Sequence, residues 1–301
     1  MTKIQRIIIL ISFFGVLLSL VYFFALPDVS QWQEKKPATT ALIQYREREA
    51  KKKGKIFKIH QNWISLSRVS PFLIKAVLIA EDDKFWKHEG FDYESIREAI
   101  EKDIKVGRFK FGGSTISQQL AKNLYLSPEK DPLRKISEAA ITWKMEKVLP
   151  KRRILELYLN VAEWGEGIFG VEVAARHYYG KSAAALTPVE AVRLAAVLPN
   201  PRKYNPIGTQ SYVKNRGNLI YSMMVRRGIV VPGYEEMKEN GQTLTNWESA
   251  SSPASDEPLL SSDLPGSWVS GGFPCAEVPS SEKLEANLGG YVDNPGSLTA
   301  P

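Results

Sequence analysis

Three pairs in this chain, Ser70-Pro71, Asp131-Pro132 and Thr187-Pro188, set a small polar residue directly before a proline at the head of a run of helical spacing. Such pairs open helices. The polar side chain caps N–H groups that a first turn leaves unbonded, and proline at the first helical position surrenders an N–H that had no partner. In Thr187-Pro188-Val189-Glu190 a glutamate completes a capping box. Stop signals are as regular: Pro150, Gly165, Gly180, Pro199 and Gly228 each follow a run of helical spacing. Together these signals predict helices over about 71–83, 93–106, 115–125, 132–149, 152–163, 169–179, 188–198 and 212–227. Only Ile56–Ile59 reads as a short strand, and no segment repeats. The expected fold class is mainly α.

The 301 residues carry a net charge of +7, unevenly spread. From Asn246 onward, Ser, Pro and Gly supply 24 of 56 residues, and eight carboxylates face a single base, Lys283. That stretch carries −7, which leaves +14 on residues 1–245. A Ser/Pro/Gly-rich acidic segment buries too little apolar surface to offset its chain entropy, so residues 246–301 are expected to be a disordered tail. Cys275 is the only cysteine, which excludes an intramolecular disulfide and a cysteine-rich zinc site. His60, His88 and His177 are too few to suggest an all-protein zinc centre. A body this positive points to an anionic partner: nucleic acid, lipid headgroups or phosphates. No nucleic-acid module is recognisable, so nucleic acid is not expected as a partner.

Ile7–Leu26 is a run of 20 residues without a charge, ~30 Å of helix at ~1.5 Å per residue, the thickness of a bilayer core. A secretory signal would have a shorter apolar region and a small-x-small cleavage site; this run ends Phe23-Phe24-Ala25-Leu26-Pro27. The expectation is a short cytoplasmic segment at 1–6, a single transmembrane helix at 7–26 and a juxtamembrane stalk at 27–58. A helical domain over 59–245 and the tail follow. Lys3 and Arg6 precede the run, and Lys35, Lys36 and Lys51–Lys53 follow it, so charge alone does not choose the orientation. The basic and aromatic residues beyond the run, among them Tyr45, Arg46, Lys55, Lys58 and Trp63, suit either anionic headgroups or a solvated stalk.

Three places break local rules. Glu81-Asp82-Asp83 puts three carboxylates at a helix C-terminus, where each costs roughly 0.3–1 kcal/mol. Two readings fit: an acidic end solvated by water, or a functional site where Glu81, at the end of an apolar helix, has a raised pKa and serves as a general base. Gly112-Gly113-Ser114-Thr115 opens a helix whose N-terminus favours an anion, and Ser114, Gln118 and Lys122 follow at four-residue spacing. That polar stripe suits a phosphate-bearing ligand or an ordinary solvated face; it is not a nucleotide P-loop. Arg134, Lys135 and Glu138 form either a surface ion pair or a second functional carboxylate held by two cations. Two such carboxylates are what glycosyl chemistry commonly uses.

Read together, these segments resemble the bacterial peptidoglycan glycosyltransferases. Glu81-Asp82-Asp83-Lys84-Phe85-Trp86-Lys87-His88-Glu89-Gly90-Phe91-Asp92 is similar to the family's first motif, E-D-x-x-F-x-x-H-x-G-x-D. Gly112 to Asn123 resembles the second, Arg134 to Glu138 the third, R-K-x-x-E, and Arg152 to Asn160 the fourth, all in the family's order. Asn160–Pro201 looks most like the monofunctional biosynthetic branch, and the likeness covers about Ile59–Gly228. Lys130 stands where many members have arginine; it keeps the charge but loses the bidentate fork. Ser280-Ser281-Glu282-Lys283 reads S-x-x-K, the start of a transpeptidase site, and is taken as chance because the chain leaves no room for that domain.

The resemblance implies a lysozyme-like helical domain anchored in the cytoplasmic (inner) membrane by one helix, with its active site on the extracytoplasmic side. It implies polymerisation of lipid II into glycan strands by inverting glycosyl transfer, with release of undecaprenyl pyrophosphate. Glu81 would be the general base, and Glu138 would orient cations or hold a metal. Ser114, Gln118, Gln119, Lys122, Lys130, Arg134 and Lys135 would bind the pyrophosphate, with or without a divalent cation such as Mg2+ or Mn2+. Expected partners are lipid II, the growing glycan, membrane lipids, and other cell-wall synthesis or division proteins. A lytic enzyme that cleaves glycan, also built on a carboxylate and a helical fold, is the rival enzyme reading. An inactive, anchored wall-binding protein is the rival of another class.

Overall fold

Helix dominates the computed structural model of this chain, which describes residues 2–24, 26–106, 113–128 and 132–231. Lys130 and residues 246–301 lie outside the described residues, as do Gly112 and Asp131. The described residues all fall within one compact unit, Met1–Trp247. In chain order the helices are α1 (Lys3–Phe24), α2 (Ala41–Lys52), α3 (Pro71–Glu81), α4 (Tyr93–Val106) and α5 (Ile116–Tyr125). There follow α6 (Pro132–Val148), α7 (Lys151–Val161), α8 (Val171–Tyr179), α9 (Pro188–Val197) and α10 (Ser211–Arg226). Three scraps of strand, β1 (His60–Gln61), β2 (Glu163–Gly165) and β3 (Ile168–Phe169), form one sheet with β3 in the middle, antiparallel to β2 and parallel to β1.

All eight helices expected from start and stop signals are present, and the capping box at Thr187 and Glu190 forms as expected. Two boundaries shifted for a shared reason. α7 stops at Val161 and α8 starts at Val171 because the intervening residues pair as β2 and β3. Strands of two or three residues are too short to show a period. The strand expected at Ile56–Ile59 lies just beyond it, at His60–Gln61.

α2 was not anticipated, since the stretch 27–58 was read as a stalk. Thr40 caps it, its side chain accepting from Ile43 N at 3.2 Å. Only Leu42 and Ile43 of this helix are buried, in a small cluster with Phe169 against which Phe57 packs. Two apolar residues among many charges leave almost no amphipathic signal.

The membrane expectation is corrected here. Among the described residues no helix is long and apolar enough to cross a membrane. α1 covers most of the uncharged run but stops at Phe24. Leu26, expected as the last residue of the span, is buried in the protein core with Val29. Lys144 Nζ donates to the Pro27 carbonyl at 3.2 Å and so ties this segment to α6. A single transmembrane helix at 7–26, and the single-pass placement in the inner membrane that went with it, is therefore not supported.

The main core gathers the inner faces of α3, α5, α7 and α9, with Trp164, Tyr158 and Phe85 among the largest fully buried side chains. Asn160, in the fourth motif, works as a clamp inside it. Its Nδ2 donates to the carbonyls of Ile64 and Glu156, both at 2.8 Å, and its Oδ1 accepts from Ile64 N at 2.8 Å. The side chain thus imitates a strand edge for the segment that leads into α3. Asn160→Ala leaves the buried Ile64 N–H and C=O without their partner, and each orphaned group costs about 1–3 kcal/mol. The expected outcome is a two-state unfolding curve displaced by ~2–4 kcal/mol, measured by urea denaturation.

Candidate active site

The C-terminal end of α3 explains its own rule-breaking sequence, because each of the three carboxylates has a separate set of partners. Asp82 caps the next layer: its Oδ2 accepts from Ile116 N, the first residue of α5, at 2.9 Å, while His88 Nε2 lies 2.9 Å from Oδ1. Gly90 N donates to His88 Nδ1 at 3.0 Å, so the ring proton facing Asp82 is on Nε2. Asp83 holds Arg227, at the end of α10, through both of its oxygens, one contact at 2.8 Å. This partner keeps the Asp83 carboxyl below its usual range.

Glu81 is held differently. Its side chain is only 10% exposed. Gln119 Nε2 donates to Oε2 at 2.9 Å, and Arg216 donates to Oε1 at 3.4 Å. Behind Gln119, the Tyr158 hydroxyl donates to its Oε1 at 3.1 Å. Burial pushes the Glu81 carboxyl above its ordinary value, although Gln119, Arg216 and Lys122 all pull the other way. Burial also carries the Tyr158 phenol well above its usual range, and the nearby carboxylates Glu81 and Asp82 add to that. The result is a protected carboxylate supplied with donors but kept basic.

The start of α5 faces this carboxylate. Thr115 and Gln118 form a capping box: Gln118 N donates to Thr115 Oγ1 at 3.2 Å, and Thr115 N to Gln118 Oε1 at 3.0 Å. Thr115 Oγ1 also donates to the Gly90 carbonyl at 2.7 Å. Gly90 has φ +92, and an added Cβ would lie 2.9 Å from Thr142 Cγ2. Only glycine fits that turn between the motif's histidine and α4. A cleft of about 180 Å³ lies between Glu81, Asp82 and Asp83 on one wall and Gly113, Ser114 and Thr115 on the other.

α6 supplies the cations. Glu138 is 4% exposed, with Lys135 in close contact with Oε1 and Arg134 Nη1 3.3 Å from Oε2. Lys135 Nζ also donates to Ser114 Oγ at 3.3 Å, which links α6 to the lip of α5. Lys122 joins the two carboxylates electrostatically. Burial pulls its ammonium below the usual range; Glu138 and Glu81 oppose that, and Arg134 and Lys135 reinforce it. Lys122, Gln119, Arg134 and Tyr158 line a further cavity of about 270 Å³, together with Arg46 and Glu163.

Of the expected site residues, the fold thus brings Glu81 to Gln119, and Glu138 to Arg134 and Lys135, with Lys122 sensing both groups. Gln118 also builds the cap of α5, its side-chain oxygen accepting from Thr115 N at 3.0 Å. The residues that spacing did not reveal are Arg216, Arg227 and Tyr158. The two arginines reach the α3 end from more than a hundred residues away, and each looks like one more charge on an amphipathic helix. Lys135 and Arg134 contact the two Glu138 oxygens, and among the described residues no group of three His, Cys, Asp or Glu side chains is placed to hold a metal ion.

Comparison with known proteins gives a consistent picture. The Transglycosylase family pattern matches residues 49–225. A biosynthetic peptidoglycan transglycosylase of Nitrosospira multiformis is 44% identical over 217 residues, 72% of this chain and 94% of that protein. One from Alcanivorax borkumensis is 43% identical over 233 residues, covering 77% of this chain and 92% of its own length. One from Dechloromonas aromatica reaches 51% identity over 174 residues, 58% of this chain and 75% of that protein.

Asp82 joins the end of α3, the turn at His88 and the start of α5. Asp82→Ala leaves the Ile116 N–H uncapped and the His88 ring without its acceptor, and is expected to destabilise by about 1–3 kcal/mol. Thermal unfolding of the purified variant checks this.

Proposed function

The chain belongs to the Transglycosylase family, and from that premise we propose how its residues carry out the reaction. It is a peptidoglycan glycosyltransferase that polymerises lipid II into glycan strands, with lipid II and the nascent glycan as its substrates. Glu81 is the general base. It takes the proton of the acceptor's GlcNAc 4-hydroxyl as that oxygen attacks C1 of the donor MurNAc. The C1–O bond to undecaprenyl pyrophosphate breaks on the opposite face, so the configuration inverts from α to β.

One arrangement supports this assignment above the rest: the Glu81 carboxylate, 10% exposed and with its pKa raised by burial, accepts from Gln119 Nε2 at 2.9 Å, and the half-buried Lys122 stands one turn further along the same helix as Gln119. A base for a sugar hydroxyl needs a raised pKa. A pyrophosphate leaving group needs positive charge rather than a proton donor. Lys122, Arg134 and Lys135 supply that charge in this proposal, Ser114 and Gln119 supply donors, and Glu138 holds Arg134 and Lys135 in place. Lys130 belongs with them as a cation for the pyrophosphate, and Gln118 as the residue that builds the α5 terminus.

Glu81→Gln is expected to lower lipid II polymerisation by about 10²–10⁴-fold, the usual contribution of a general base. A variant that still forms polymer at the wild-type rate would remove Glu81 from the mechanism. Release of glycan fragments by the wild-type protein would point to a lytic enzyme instead. The base acts only when ionised, so activity falls as pH drops through the folded pKa of Glu81. Because that pKa is raised, the acid limb of the pH–rate profile lies above the ~4.3 of a free glutamate. Lys122→Met is expected to cost about 10²–10³-fold in kcat, as for loss of one transition-state donor.

A further inference from the structure

Arg216 lies outside every motif that carries the proposed chemistry, yet it touches the carboxylate at its centre. It projects from the first half of α10. One of its nitrogens, Nη2, donates to the Ala80 carbonyl at 2.9 Å and to Glu81 Oε1 at 3.4 Å. Ala80 is in the last turn of α3, where carbonyls lack helical partners and the helix dipole is negative. The guanidinium answers both. On the opposite side, Gln119 holds Glu81 Oε2, and the Tyr158 hydroxyl fixes which end of the Gln119 amide faces the glutamate. Each Glu81 oxygen therefore has one donor, and the two donors come from different helices.

We propose that Arg216 is a positioning residue of the glycosyl transfer: it grips the last turn of α3 from α10 and, opposite Gln119, holds the Glu81 carboxylate in a single orientation. The proposal rests on Glu81 being the general base. The plainer alternative is an ion pair that merely staples α10 to α3. Two observations count against it. Arg227 already staples the end of α10 to Asp83 on the same helix end. Arg216 Nε is buried without a partner among the described residues, an arrangement that favours the carboxylate contact over the arginine's own satisfaction.

The groups that face Glu81 are few. Gln119 and Lys122 come from α5, Tyr158 from α7 and Arg216 from α10, with Asp82 next along the chain. Of the two cations, Lys122 is weakened by burial and also faces Glu138. Arg216 is the one in contact. An opposite charge within about 4–6 Å lowers a carboxylate pKa by about 1–3 units, which here opposes the effect of burial. Removing it makes Glu81 harder to ionise and moves the acid limb of activity to higher pH.

The test measures kcat and KM for lipid II across pH in full-length wild type, Arg216→Met and Arg216→Lys, with Glu81→Gln as reference and thermal unfolding as a check on folding. Arg216→Met is expected to lower kcat about tenfold at neutral pH, with KM within about twofold, and to shift the acid limb up by about one pH unit. Arg216→Lys restores the charge and returns the limb toward wild type, but recovers kcat only in part because lysine lacks the planar fork. If Arg216→Met does not fold, Arg216→Gln against Arg216→Lys provides the same comparison. An unmoved acid limb in the uncharged variant overturns the proposal, whether or not kcat falls, because a structural staple would lower activity at every pH alike. Retained activity in Glu81→Gln would instead bring down the general-base assignment itself. Loss in Glu81→Gln with an unmoved limb in Arg216→Met removes only the role of Arg216.

Discussion

The contact on which the rest depends is the one between Asp82 and the first N–H of α5. It joins the negative end of α3 to the positive end of α5 through a single carboxylate, and His88 completes it from the turn between α3 and α4. Helix ends carry unbonded groups of opposite sign, so a carboxylate that belongs to the α3 end and caps the α5 end relieves both elements at once. With that joint made, Glu81 and Gln119, each next to a residue of the joint or a turn beyond it, fall within hydrogen-bonding distance. The cleft between Glu81 and Ser114 lies beside the same joint, with Asp82 and Thr115 both in its lining.

Charge is then arranged in two tiers. Glu81 is buried and only lightly compensated, by an amide and one side of a guanidinium, so burial prevails and the carboxylate stays basic. Glu138 is buried as deeply but lies against two cations on its own helix. Two carboxylates of the same chemistry thus have different surroundings, one suited to accepting a proton and the other to fixing positive charge. Lys122 senses both and, being buried, holds its charge less firmly than a surface lysine. An ammonium in that setting gains most when an anion arrives beside it.

Much of this was legible in the sequence. The helices were announced by caps and prolines whose chemistry is local, and Thr187 with Glu190 forms the box that its spacing spelled out. Glu81-Asp82-Asp83 stood out because it opposed the helix dipole. What could not be read was who answers that opposition: His88 lies nearby, but Arg216 and Arg227 arrive from α10, and no periodicity links them to α3. α2 was hidden because just two of its residues are buried. The uncharged run before Pro27 misled for the opposite reason. Hydropathy counts residues, whereas Leu26, the last residue of the run, ends up packed in the protein core.

By itself, then, the sequence determined the mainly helical class and the order of the helices that its caps announce, and it singled out Glu81, Glu138, Lys122, Arg134 and Lys135. Those follow from interactions within a turn or two of the chain, where spacing is geometry. Only the tertiary structure decided which oxygen each donor reaches, that Gln118 builds a cap while Gln119 turns toward Glu81, and that Arg216 grips the end of α3. Those choices depend on how helices distant in sequence pack against one another, and burial, which sets the basicity of Glu81, exists only once they have packed.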